Sequence, residues 1–400
     1  MDRPGRYGRC IAPGTAPRSG PAIAHATTRP LRPAVAVVAT VVALVAGGCS
    51  DASGGEEAAT ATEPQVTVTV PSTTSTVTSS STTAESTTTT EPEPAPPCAE
   101  VTVASDGRIV SDQLVETSGL AASSGRSDGL VWATNDSGHP TALHGLGLDG
   151  ADLGFFSVVD PSGDPVDAAD VEDLAIHDGL VYLADIGDNG SRRERVTIWV
   201  VDEPDPDAGD STAAAVARID VTYPSGPRDA EAFLVDPVTG ALLILDKDLE
   251  EDLTRIYEIE PPDLSGAAGG TEPGGELVVI EAAARLAGAV DAARIPDEVS
   301  ELTASALLFP GAVTAADIST DGATVAVRTY GTVLLFDRPD GTSVAEILST
   351  TEPCETGTAR EGQGESLAFL PPGPDGSIRY VTASEGEFRP VNVVTVTPRP

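Results

Sequence analysis

An all-β head in which one two-strand unit recurs around a ring is the fold this 400-residue sequence predicts. Three observations point to it. From residue 98 onward, short apolar runs alternate with Gly, Asp and Pro turns, and long stretches of 3.6-residue period are missing. One pattern returns at least five times: a small or acidic residue, a short apolar strand, a turn, and a second apolar strand ending in polar residues. The copies recur at a spacing of roughly fifty residues, in the range of a propeller blade.

The first copy is SGLAAS at 118–123 with LVWATNDSG at 130–138, and the second is DVEDLAI at 170–176 with LVYLADIGDN at 180–189. RDAEAFLVD at 228–236 with ALLILDKD at 241–248 is the third, and AADISTDG at 315–322 with ATVAVRTYG at 323–331 the fourth. The last is GESLAFL at 364–370 with IRYVTASEGE at 378–387. Aligned on their first strands, they begin near 118, 172, 231, 316 and 365, with gaps of 54, 59, 85 and 49 residues. The 85-residue gap has room for one degenerate copy, for which ELVVIEAA at 276–283 is the candidate. EAAARLAGAVDAAR at 281–294 reads alternatively as a short helix. The expected architecture is therefore a β-propeller of six blades; a β-sandwich would not demand this spacing. RVTIWVVD at 195–202, TRIYEIE at 254–260 and TVLLFD at 332–337 fit the outer strands. EVTVA at 100–104 and VNVVTV at 391–396 suit a pairing of the two chain ends that closes the ring.

Residues 1–48 read as an address. AVAVVATVVALVA at 34–46 is an uncharged apolar run preceded by Arg29 and Arg32. As a helix it would reach about 20 Å, short of a hydrocarbon core of about 30 Å, which fits a secretory signal peptide. Ala46, Gly47, Gly48 and Cys49 resemble a lipobox, where bacterial lipoproteins are diacylated on cysteine and cleaved. Leu is usual where Ala46 stands, and the alternative is an ordinary signal peptide with Cys49 incidental. Residues 49–97 form a stalk: between 72 and 90 only Val77, Ala84 and Glu85 are neither Ser nor Thr, and EPEPAPP follows. Such a segment cannot bury enough apolar surface to offset its ordering entropy, so it is expected to stay disordered and to hold the head, residues 98–400, off the membrane. In an exported chain Cys98 and Cys354 are expected to form a disulfide tying the ends of the head together, with two free thiols as the alternative.

Charge excludes some partners. The chain carries 23 Lys and Arg against 62 Asp and Glu. Six arginines and one acid precede position 49, leaving 17 basic and 61 acidic groups after it. This argues against nucleic acid, which demands a basic footprint, and against peripheral attachment to anionic lipid. The expected link to the membrane is lipid on Cys49, with the head outside the cell as a monomer.

In a propeller the loops leading into the innermost strands face one end of the central channel. Glu172, Glu231 and Glu365 would then converge on one mouth, with Asp170, Asp173, Asp229, Glu361, Asp185, Asp188, Asp246 and Glu385 close in sequence. Crowded carboxylates repel unless a cation sits among them, and oxygen-only donors favour Ca²⁺ before Mg²⁺. The expected metal ligands are Glu172, Glu231, Glu365 and Asp185. Arg228, Lys247, Arg328 and Arg360 are interleaved with them and suit a phosphorylated or anionic small molecule. The alternative is that the arginines pair with neighbouring acids to hold loops. No G-x-S-x-G is present, and two cysteines with His139, His144 and His177 make no zinc pattern.

DVEDLA, YLADIGDN, RDAEAFLVD and GESLAF resemble blade motifs of phytase-like β-propellers, including secreted actinobacterial proteins with phytase-type, esterase-like domains. The resemblance spans roughly 110–396 and implies calcium at Glu172, Glu231, Glu365 and Asp185. Ser118 and Ala316 depart from the acid pattern, and a dense Lys/Arg phosphate clamp is missing. Two functions stay open: a calcium-binding cell-surface head that presents a ligand- or cell-envelope-partner-binding surface, and a calcium-dependent phosphoesterase. In a third reading the acidity serves solubility and the carboxylates are scattered.

Overall fold

Strand pairing in the computed structural model follows the repeats. The structure describes residues 100–126, 129–208, 211–249, 253–266, 276–293, 303–357 and 361–397. The leader, Cys49 and the stalk, Cys98 and Arg360 lie outside them.

Blade 1 runs outward through β2 (Thr117–Ala122), β3 (Val131–Asn135), β4 (Ala142–Leu146) and β5 (Asp152–Val159). Blade 2 holds β6 (Val171–His177), β7 (Leu180–Asp185), β8 (Val196–Asp202) and β9 (Ser211–Thr222). Blade 3 holds β10 (Ala230–Val235), β11 (Leu242–Asp246), β12 (Thr254–Ile259) and, outermost, β14 (Arg285–Val290). Blade 4 is β15 (Val313–Ile318), β16 (Thr324–Thr329), β17 (Thr332–Asp337) and β18 (Cys354–Gly357). Blade 5 is β19 (Gly364–Leu370), β20 (Ile378–Ser384) and β21 (Pro390–Val396), completed by β1 (Val101–Arg108) from the other end of the chain. β1 pairs antiparallel with β21, with Val101 opposite Val396, so the expected closure of the ring by its two ends is present. Cys354, at the start of β18, is disulfide-bonded.

Among the described residues the ring has five blades, not the six expected. The innermost strands β2, β6, β10, β15 and β19 each pack on the next, and β19 returns to β2. Five apolar cores separate them. Trp132 and Leu183 lie in the core between blades 1 and 2, and Phe233 and Ile198 in that between 2 and 3. Leu245 and Val327 mark the core between blades 3 and 4, Val333 and Leu367 that between 4 and 5, and Leu120 and Val381 that between 5 and 1. Blades packed face to face bury both sides of their strands, which is why LLILD and AEAFLV are buried at every position. The candidate sixth unit lacks this property. β13 (Val278–Ala283) alternates half-buried with exposed residues, so it has one face to bury and lies parallel on the outside of β9. The stretch read alternatively as a helix instead enters β14. The rest of the 85-residue gap includes a short helix, α1 (Ala304–Leu308), capped by Thr303. A second helix, α2 (Val344–Thr350), puts Val344, Ile347 and Leu348 into the core between blades 3 and 4.

Buried polar groups bind neighbouring blades together. Asp173 accepts the amides of Leu174 at 2.8 Å and, from blade 3, Phe233 at 2.9 Å. Asp317 does the same with Ile318 and, from blade 5, Phe369, both at 2.7 Å. Burial pushes the Asp317 carboxyl up to about 7. Between blades 4 and 5, Arg328 is fully buried, ion-paired with Glu361 and bonded to the Ser366 carbonyl at 2.7 Å. Thr382 and Asn392 also donate to Glu361, at 2.8 and 2.6 Å. A side chain at position 364 would collide with this guanidinium, a Cβ lying 1.7 Å from its Nη2, so only glycine fits.

Removing one member of a buried, hydrogen-bonded ion pair leaves an uncompensated charge. Arg328→Ala is expected to cost about 3–5 kcal/mol of unfolding free energy, read by urea denaturation.

Candidate functional site

Each innermost strand contains a one-residue irregularity at the same register. It falls between Thr117 and Leu120, Val171 and Asp173, Ala230 and Ala232, Val313 and Ala315, and Gly364 and Ser366. The extra residue of a bulge is left out of the ladder and its side chain is re-aimed. The residues concerned are Ser118, Glu172, Glu231, Thr314 and Glu365. The sequence alignment placed Ala316 in this set; pairing shows that Thr314 holds the position and Ala316 lies opposite Val327. The residue following each second strand forms a second set at the same end of the ring: Asp136, Ile186, Lys247, Tyr330 and Glu385.

Glu172, Glu231 and Glu365 are all buried, and Glu231 lies near enough to both of the others for their charges to interact. Their surroundings differ. Ligand oxygens of Asp136, Asp170 and Glu172 all lie within 4.8 Å of one another. Ser118 Oγ donates to the Glu172 carbonyl at 2.5 Å and lies 3.3 Å from its carboxylate. Asp170 Oδ1 is buried with no hydrogen-bond partner. Burial, then the charge of Asp136, pushes Asp170 up to about 7, and burial with the nearby Glu231, Asp136 and Asp170 raises Glu172 well above the carboxylate range. Gly187 closes the site. A Cβ there would stand 2.1 Å from Glu172 Oε1 and 2.4 Å from Asp170 Oδ2.

The loop 185–193 fixes this arrangement. Asp185 accepts the Asp170 amide at 3.0 Å and pairs with Arg193 at 2.7 Å. Arg193 also donates to the Gly187 carbonyl at 2.8 Å, and the Gly187 amide reaches the Asp170 carbonyl at 3.2 Å. Asp188 accepts the amides of Arg192 and Arg193 at 2.5 and 2.7 Å, while its own amide donates to Asp229 at 2.9 Å. Asp185 therefore orients Asp170 and already holds an arginine.

Across the mouth, Glu231 is ion-paired with Lys247, whose Nζ lies 5.5 Å from the Tyr330 ring centroid. Burial opposes the ammonium's charge, but Glu231, Tyr330 and Glu365 around it hold Lys247 well above its ordinary value. Tyr330 Oη and Gln363 Nε2 each donate to Glu365 Oε1 at 3.1 Å. Glu385 is pushed up to about 10 by burial and by a side-chain hydrogen bond to Glu365. Beside it lies a cavity of ≈540 Å³ lined by Glu116, Gln363, Glu385, Glu387 and Arg389 among others.

Of the cations expected to clamp an anion, Lys247 reaches the mouth carboxylates and pairs with Glu231. Arg328 is shut inside the joint between blades 4 and 5, and Arg228 donates to Ser225 on its own loop at 3.2 Å. Arg360 is not among the described residues. Asp136 and Tyr330 escaped notice in the sequence, although each follows its second strand as Lys247 and Glu385 do. His144 packs against Phe155 on blade 1, and burial lowers it to about 4.

No protein-family model and no curated protein matches the chain. Among solved structures it is similar to a calcium structure of a Trichoderma reesei carbohydrate-active enzyme of family AA12. That chain is 10% identical with a TM-score of 0.37, over 72% of this chain and 82% of that one. An iodide structure of the family is 11% identical, with a TM-score of 0.35, over 72% and 83% of the two chains.

Groups that bind protons more readily folded than unfolded stabilise the fold at low pH and lose that effect as pH rises through their folded values. Asp170 and Asp317, both raised from 3.8 to about 7, do so between about pH 4 and 7. In chelator, their contribution to the melting temperature is expected to fall across that window. Asp170→Asn is expected to flatten the slope of melting temperature against pH.

Proposed function

We propose that this chain is a lipid-anchored, cell-surface β-propeller that binds one calcium ion at Asp136, Asp170 and Glu172 and presents the surrounding mouth to a ligand or partner. The carrying observation is the buried Asp170 Oδ1, a carboxylate oxygen with no hydrogen-bond donor, inside a three-carboxylate group that only a glycine at 187 leaves room for. The donors are all hard oxygens, and calcium takes about six to eight of them in irregular geometry. Three carboxylates leave coordination positions for a ligand's own oxygens. The cavity beside Glu385 adds polar surface of both signs next to that position.

Extracytoplasmic placement, lipid on Cys49 and a monomeric head carried on a stalk rest on the leader, the Cys49 context and the Ser/Thr/Pro-rich segment. The disulfide at Cys354 accords with an oxidising compartment. The phosphoesterase reading needs cations free to clamp a phosphate. Of the cations expected to form that clamp, Lys247 is already bound to Glu231 and Arg328 is buried away from the mouth. The binding reading is therefore the one adopted.

Calorimetric titration of Ca²⁺ into the chelator-stripped full chain is expected to show one ion per chain. Glu172→Gln and Asp170→Asn are each expected to weaken binding by about tenfold or more, and Asp185→Ala to weaken it indirectly by releasing the Asp170 amide and Arg193. Calcium at a hundred times its Kd is expected to add about 2.7 kcal/mol to the unfolding free energy. Absence of both heat and stabilisation would sink the calcium reading.

A further inference from the structure

The three bulge glutamates do not stand in equivalent electrostatic settings, although the repeat puts them at equivalent positions. Blade 1 sends an acid, Asp136, toward Glu172, and Asp170 joins them; no cationic side chain is hydrogen-bonded to any of these three carboxylates among the described residues. Blade 3 sends a base from the position matching Asp136. The Lys247 backbone is held by its amide on the Asp229 carbonyl at 2.9 Å, and its stem carries the ammonium to Glu231. Next along the ring, Tyr330 presents its ring to that ammonium and donates a hydrogen bond from its hydroxyl to Glu365. Glu231, Tyr330 and Glu365 thus all act on one positive charge, Glu231 through an ion pair, Tyr330 also through its ring and Glu365 through its nearby charge.

We infer that the mouth contains a second cation position, between Glu231 and Glu365, and that Lys247 fills it with the protein's own ammonium, so that the mouth accepts one metal ion instead of two. Lys247 is then a residue that sets metal stoichiometry. The count of one rests on the calcium reading above, while the second position rests on the Lys247 geometry alone. Replacing the ammonium by a neutral amide leaves Glu231 and Glu365 facing each other with only neutral donors between them. A divalent ion takes such oxygens at about 2.3–2.6 Å and restores the balance. Lys247→Arg keeps the positive charge and the single-ion count.

The test is titration of Ca²⁺, and separately Tb³⁺, into the full chain and its Lys247→Gln variant. One ion is expected in the wild type and two in the variant. The second Tb³⁺ is expected to luminesce on excitation of Tyr330, a signal lost in Lys247→Gln/Tyr330→Phe. One ion in both proteins overturns the inference and leaves the calcium reading standing, as do two ions in the wild type. No ion in the wild type and one in the variant would sink the triad as a metal site and uphold the second position. No ion in either sinks both. If Lys247→Gln does not fold in chelator, refolding in calcium decides: recovery with two ions bound supports the inference. No recovery, while Lys247→Arg folds, overturns it.

Discussion

The one-residue bulge in each innermost strand is the feature on which the mouth depends. A regular strand would send alternate side chains into the two flanking interblade cores, where Leu, Val and Ala belong. The bulge releases one residue per blade from that alternation and aims it toward its counterparts. Ser118, Glu172, Glu231, Thr314 and Glu365 are polar because they occupy these positions. Their neighbours in the strands, such as Leu174, Phe233 and Leu367, are apolar because they do not.

Convergence of three buried glutamates creates a charge problem that the fold answers differently around the ring. Glu231 meets an ammonium, and Glu365 meets a phenol, an amide and the carboxyl of Glu385. Glu172 meets Ser118 and more acid, which the charge of Lys247 offsets only in part. The electrostatic stress is therefore concentrated on one side, between blades 1 and 2, where the 185–193 loop is also most heavily hydrogen-bonded. Asymmetry within a repeated scaffold is what makes a site of one part of it, since the backbone geometry is shared by all five blades.

Ring closure supplies the rigidity this requires. Five interblade cores, the buried Arg328–Glu361 pair, the Asp173 and Asp317 bridges and the β1–β21 pairing leave no innermost strand free to move independently. β9 adds a further tie. Its first half runs parallel to β5 and its second half antiparallel to β8, so blades 1 and 2 share one continuous sheet. The most acidic part of the mouth is thus set on the most connected part of the ring.

Much of this was readable in the residues. Apolar runs broken by turns determined the strands, the recurring unit determined a propeller, and the two terminal strands announced their own pairing. The acidic residue opening three copies determined that carboxylates would meet at one end. Blade count was not legible, because ELVVIEAA is strand-like by composition and only its one-sided burial against β9 reveals that it builds no blade. Thr314 was hidden because a bulge changes register without changing hydrophobicity, so alignment by pattern slipped by two residues to Ala316. The roles of the cations were equally hidden. Arg328 lies two residues short of the place that matches Lys247, inside the paired part of its strand, and enters a joint, whereas Lys247 follows its strand and enters the mouth. Sequence by itself determined the kind of fold and the chemistry available to its mouth. Tertiary structure alone decided which charges face one another, because that depends on register and on packing between blades far apart in the chain.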